Sequence, residues 1–149
     1  MTVSPKDMHA KLAYEAAVYR EQLRLLKKEM DRINVTTVEL STAVKTIENL
    51  ISEETLVPVG GGAFIKGEVR STQVLVPIGG SYLTEMEKER AAEEINKRIE
   101  TTKKATVRLN EEYKKITEKL KELGKQLQQL KARADISKRV DESAQEDYI

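Results

Sequence analysis

Leu56-Val57-Pro58-Val59-Gly60-Gly61 and, nineteen positions later, Leu75-Val76-Pro77-Ile78-Gly79-Gly80 are two copies of one phrase. Ala63-Phe64-Ile65 follows the first copy and Ser81-Tyr82-Leu83 the second. Each copy reads as a β-rich run, a glycine turn and a second strand with an aromatic. Pro58 and Pro77 have no N–H to give a ladder, so each belongs at a sheet edge or strand start. The predicted strands cover 55–59, 63–70, 73–79 and 81–85, with hairpin turns at Gly60-Gly61-Gly62, Ser71-Thr72 and Gly79-Gly80. A lone hairpin is marginal in water. Val57, Val59, Phe64, Ile65, Val69, Val74, Val76, Ile78 and Tyr82 are too many apolar residues for a solvated sheet and too few for a closed core. These strands are therefore expected to pair with other chains, and those residues are the candidate oligomerisation set.

Helical segments flank the module. Ser4 suits a cap, Pro5 the first helical position, and Asp7 the positive end of the helix dipole. From Leu12 the apolar spacing alternates four and three: Leu12, Ala16, Tyr19, Leu23, Leu26, Met30, Ile33, Thr37, Leu40, Val44, Ile47, Ile51. Eleven of these twelve are apolar, which marks a coiled-coil seam and predicts a first helix over 5–52. At 1.5 Å per residue such a helix spans roughly 70 Å. A second helix is predicted over 86–134, opening on a capping box of Thr84 and Glu87. Its seam is Ala92, Ile95, Ile99, Thr102, Thr106, Leu109, Tyr113, Ile116, Leu120, Leu123, Leu127, Leu130 and Ala134. Two seams of matching length around a compact insert imply an antiparallel helical hairpin. With Ile51 level with Lys88, Thr37 meets Thr102, and Thr106 lies one layer on. After Ala134 the seam dissolves, so 135–149 are expected to be frayed or disordered. The predicted class is α+β: a long antiparallel two-helix coiled coil whose two central hairpins join an oligomeric β-barrel.

Composition narrows the function. The chain has 149 residues, which favours one domain over 1–149, and it is 34% charged with 4% aromatic residues and no Trp. The absence of Cys excludes disulfide and thiol chemistry and fits a cytoplasmic setting. No apolar run approaches membrane-spanning length, and the N-terminal residues lack a signal peptide's apolar core, so a soluble cytoplasmic protein is expected. Net charge is +1, yet residues 103–133 hold ten Lys/Arg against four Glu, and 134–149 hold two against five acidic residues. The basic stretch is a possible nucleic-acid face. Its charges spread round the helix, however, with almost no aromatics and with Glu111, Glu112, Glu118 and Glu122 between them, which reads as a solvated coiled-coil face.

No active site is legible. The one histidine, His9, falls at a helix end, and the adjacent pairs Glu53-Glu54 and Glu93-Glu94 point in different directions on a helix. No metal-ligand spacing occurs, and Gly60-Gly61-Gly62 is followed by neither Gly-Lys-Ser/Thr nor a helix. No catalytic residue, cofactor or metal is expected, and neither nucleic acid nor membrane as a partner. More informative are apolar residues at outward heptad positions: Tyr14, Val18, Leu25, Val35 and Val38. Val3, Met8, Tyr14 and Val18 lie towards the helix end far from the strands, which Ile136 and Val140 would reach from the second helix. Gly124 weakens that region of the second helix by about 1 kcal/mol relative to Ala. A mobile tip with exposed apolar side chains suits binding of variable, non-native apolar segments.

Two helices of this kind flanking Leu56-Val57-Pro58-Val59-Gly60-Gly61-Gly62-Ala63-Phe64-Ile65-Lys66-Gly67 and Val76-Pro77-Ile78-Gly79-Gly80-Ser81-Tyr82 resemble the alpha-class subunit of prefoldin over about residues 8–140. The doubled hairpin is the specific part, since the beta class has one. The resemblance implies a hexamer of two alpha and four beta-class subunits with a β-barrel platform and hanging coiled coils. It further implies an ATP-independent holdase that grips non-native proteins between its tips and hands them to a group II chaperonin. On that basis Val57, Val59, Phe64, Ile65, Val74, Val76, Ile78 and Tyr82 build the platform, and Tyr14, Val18, Ile136 and Val140 stand at the tips. The alternative is an alpha-like structural subunit that self-assembles through its hairpins into rings or filaments.

Overall fold

The computed structural model describes residues 4–51 and 53–146. Its elements are α1 (Pro5–Glu48), β1 (Glu54–Gly60), β2 (Ala63–Glu68), β3 (Gln73–Gly79), β4 (Tyr82–Glu87) and α2 (Lys88–Glu146). They divide into two compact units. One is Arg32–Thr106; the other is the described part of Met1–Asp31 with Val107–Ile149.

In the first unit the strands form two separate antiparallel pairs, β1 with β2 and β3 with β4. The sequence repeat is also a structural one. Val57 pairs with Ile65 as Val76 pairs with Thr84, and the register slips between Pro58 and Gly60 as it does between Pro77 and Gly79. Both turns need left-handed backbone. Gly60, Gly61 and Gly62 have φ of 102°, 59° and 78°, while Gly79, Gly80 and Ser81 have 116°, 57° and 65°. Ser81 takes this conformation with a side chain where the first copy has Gly62.

Ser71-Thr72 is not the hairpin turn the sequence suggested, because β2 and β3 do not pair. Instead, the Val69 N–H donates back to the Glu53 carbonyl at 3.1 Å, drawing the chain to the foot of the first hairpin. Ser71 Oγ then accepts the Gln73 N–H at 3.1 Å and opens β3.

The junctions with the helices also differ from expectation. α1 stops at Glu48, short of 52, where the Asn49 side chain donates to the Lys45 carbonyl at 2.7 Å and competes with the next helical turn. Ile51, the last predicted seam residue, is therefore exposed. At the other junction β4 runs on to Glu87 and α2 begins at once with Lys88. Thr84 and Glu87 are thus strand residues rather than a capping box, and Glu87 accepts a hydrogen bond from the Gln73 side chain at 3.1 Å. Lys88 Nζ donates to the Leu50 carbonyl at 3.5 Å, satisfying an acceptor left free beyond the helix end.

The core of this unit gathers Val44 and Ile47 from α1, Val76 and Met86 from the second hairpin, and Ala91, Ala92, Ile95 and Ile99 from α2. Arg98 donates from its guanidinium to the Pro77 carbonyl and ties β3 to α2 a second time. The seam threonines 37, 102 and 106 are half-buried, each donating its hydroxyl to the carbonyl four residues back, at 2.9, 2.7 and 3.0 Å.

In the other unit the early part of α1 lies beside the late part of α2. Ala16, Ile116 and Leu123 are buried, and Lys119 Nζ stands 5.7 Å from the centre of the Tyr19 ring. Helix α2 continues to Glu146, so the expected disorder after Ala134 is not found over 135–146. The seam ends there, but the helix does not. No Gly or Pro follows Gly124, and Asp135 stands three and four residues before Lys138 and Arg139, a spacing that favours helix. The last three residues lie outside the described part.

Candidate functional site

Two sets of side chains stand out. The first is on the hairpins. The β1–β2 pair buries no residue at all: Val57 is 42% exposed, and Leu56, Val59, Phe64 and Ile65 more so. Apolar side chains therefore face solvent on both sides of this hairpin. The β3–β4 pair differs. Val74, Val76, Thr84 and Met86 form one face, and this face lies on the helices, with Val76 only 1% exposed. Val76 is thus a core residue of its own chain rather than one offered to a partner, and Val74 packs against the same core. Val69 is half-buried. The free apolar side chains of the second hairpin are Leu75, Ile78, Tyr82 and Leu83. Sequence reading missed Leu56, Leu75 and Leu83. Leu75 and Leu83 fall on the face opposite Val76 and Thr84, so the two-residue strand period exposes them once the burial of Val76 is known.

The second set is at the helix ends of the other unit. Met8, Tyr14, Val18, Ile136 and Val140 are all exposed, Tyr14 at 74%. Val3 lies outside the described residues. Leu25 is exposed on α1 as well, as is Val107 on α2, the latter unforeseen. The structure also forms a groove of about 760 Å³ there, from Ser4, Pro5, Lys6 and Met8 of α1 with Leu130, Arg133, Ala134, Ser137 and Lys138 of α2. Of the described tip residues predicted from the sequence, only Met8 lines it. The Lys6 N–H donates to Ser4 Oγ at 3.3 Å and the Met8 N–H to the Ser4 carbonyl at 3.0 Å, which holds the start of α1 in place.

Among the described residues no group of three or more His, Asp or Glu side chains is placed to hold a metal ion. The displaced titrations belong to solvated ion pairs. Arg24 donates to Glu21 at 2.7 Å and holds that carboxyl below its ordinary range, while Glu21 raises Arg24 in turn. Lys97, at 3.0 Å, does the same to Glu94. No helix among the described residues is long and apolar enough to cross a membrane.

Helices paired through a heptad seam, with two small hairpins between them in the chain, define a coiled-coil assembly subunit. Residues 19–133 match the family described as "Prefoldin subunit". The chain belongs to the prefoldin family, a family of chaperone subunits. It is 30% identical over 124 residues to prefoldin subunit alpha 1 of Methanocaldococcus jannaschii, covering 83% of this chain and 87% of that protein. With prefoldin subunit alpha of Pyrococcus horikoshii it shares 36% identity over 118 residues, 72% of this chain and 80% of the relative. Among solved structures, it is similar to filamentous PFD from Methanocaldococcus jannaschii, with a TM-score of 0.63 and 25% identity over 76% of this chain and 98% of that one. The prefoldin beta subunit from Thermococcus strain KS-1 shares the fold, at a TM-score of 0.58 and 23% identity over 82% and 90% of the two chains.

Proposed function

We propose that the chain is the alpha subunit of a cytoplasmic, ATP-independent holdase of two alpha and four beta-class subunits. In this reading it grips non-native proteins at the helix ends and passes them to a group II chaperonin. Assembly rests on the exposed hairpin side chains Val57, Val59, Phe64, Ile65, Ile78 and Tyr82, joined by Leu56, Leu75 and Leu83, with Val69 at the margin. Client binding rests on Met8, Tyr14, Val18, Ile136 and Val140, together with Val3.

The observation that supports this best is the division of apolar residues in the unit of the helix ends. Leu12, Leu23, Leu26, Leu120 and Leu127 lie half-buried along the seam, whereas Tyr14, Ile136 and Val140 stay in solvent. Such side chains suit transient contact with exposed apolar segments of other proteins. The test is light scattering of a denatured client diluted into the chain with a beta-class partner, comparing full-length protein with a form lacking residues 1–18 and 135–149. The shortened form should assemble yet fail to suppress aggregation. Full suppression by it would overturn the tip assignment.

A second reading is supported by the likeness to a filamentous structure: an alpha-like subunit that self-assembles through its hairpins into rings or filaments. The first reading expects the purified chain to need a beta-class partner for its defined assembly. Open-ended polymers of the chain alone would favour the second.

A further inference from the structure

The lining of the groove at the helix ends combines two kinds of chemistry. Met8, Leu130 and Ala134 supply apolar surface to it, and Lys6, Arg133 and Lys138 supply positive charge. Among the described residues no carboxylate lines it. Asp135, Asp141 and Glu142 belong to the same stretch of α2 but are not among its lining residues. Among the described residues none of the three cations takes part in an ion pair, although Arg24, Lys97 and Lys103 elsewhere on the helices each bind a carboxylate one turn away. The volume of about 760 Å³ is within the roughly 300–1,000 Å³ usual for ligand clefts.

We propose that this groove selects among clients, taking segments in which carboxylates flank apolar side chains. The inference rests on client binding at the helix ends and adds a preference to it. An apolar side chain entering the groove meets flexible Met8 and the aliphatic stems of the cations, and this surface adapts to different shapes. A carboxylate beside that side chain meets a cation with no ion pair among the described residues, whereas a lysine there meets like charge. The discrimination comes as much from repulsion of the wrong segment as from attraction of the right one.

The test uses the full-length chain and two fluorescent peptides with the same leucines and phenylalanines, one carrying aspartates between them and the other lysines. Exposed charge contacts contribute roughly twofold each, so three should favour the acidic peptide by about eightfold in low salt. The preference should fade in high salt as screening shortens the reach of charge. The variant K6E/R133E/K138E should reverse it with unchanged helix content. K6Q/R133Q/K138Q should abolish it while keeping apolar binding, which guards against misfolding of the charge reversal. Equal binding of both peptides by wild type, or a preference that survives both variants, overturns the inference and leaves tip holding intact. Failure of wild type to bind either peptide overturns tip holding and this inference together. A change in the mass of the chain on charge reversal, read by light scattering, makes a second copy the occupant and also overturns it.

Discussion

Val76 and Val57 occupy the same place in the nineteen-residue repeat, yet one is 1% and the other 42% exposed. Truncating each to Ala gives a matched pair. Val76→Ala removes two buried methyl groups, about 1.6 kcal/mol at ~0.8 kcal/mol each. Val44, Ile47 and the α2 side chains collapse only partly into the space, so a cavity on the order of 50 Å³ adds ~1 kcal/mol. The expected loss is about 2–3 kcal/mol. Val57→Ala leaves no cavity and forfeits only part of the transfer term, at most ~1 kcal/mol. The loss of strand propensity is common to both and cancels in the comparison. Urea unfolding of the chain alone, followed by far-UV circular dichroism where sedimentation shows single chains, measures the difference. A gap between the variants smaller than about 0.5 kcal/mol, the usual scatter of surface substitutions, would refute the unequal anchoring of the two hairpins.

Three further outcomes are expected. Gly124→Ala should stabilise α2 by about 1 kcal/mol, since an added Cβ there meets nothing within 4 Å; thermal unfolding reads it, and a destabilised variant would mean that the glycine has a steric duty. Cysteines at 37 and 102 should crosslink under mild oxidation, and failure to do so would sink the predicted register of α1 on α2. Glu21 and Glu94 should titrate below the ordinary carboxylate range in NMR. With folded values depressed, their contribution is present above the unfolded carboxylate pKa and is lost as pH falls through the lowered folded value; titration at ordinary values would remove both ion pairs from solution.

The seam was legible because two helices that keep one stripe in contact over many turns impose a 3.5-residue repeat on their apolar residues. From Leu12 to Ile47 and from Ala92 to Leu130 every predicted seam residue is buried or half-buried. The hairpins were legible because Gly60-Gly61 and Gly79-Gly80 supply the φ > 0 that tight turns demand. Ile51 misled because periodicity does not register where a helix yields to a strand, which Asn49 and the ladder starting at Glu54 decide. The stretch after Ala134 misled because loss of an apolar seam was read as loss of helix, although backbone bonding needs no seam where breakers are absent. The inequality of Val57 and Val76 was not legible at all: two copies of one phrase cannot say which packs on the helices. The lining of the groove was equally hidden, since Lys6 and Lys138 become neighbours only once the helices lie side by side.

The 3.1 Å bond from the Val69 N–H to the Glu53 carbonyl means that the chain departs for the first hairpin and returns from it at one point. Nothing between residues 54 and 68 is buried, so these residues form a detachable cassette with its ends already closed. An in-frame loss or gain of such a cassette leaves α1, α2 and the anchored hairpin in register, because insertions at exposed sites with adjoining ends disturb little else. If the hairpins are the assembly edges proposed above, the number of neighbours a subunit recruits can change in evolution with the number of its hairpins, without any rebuilding of the helices.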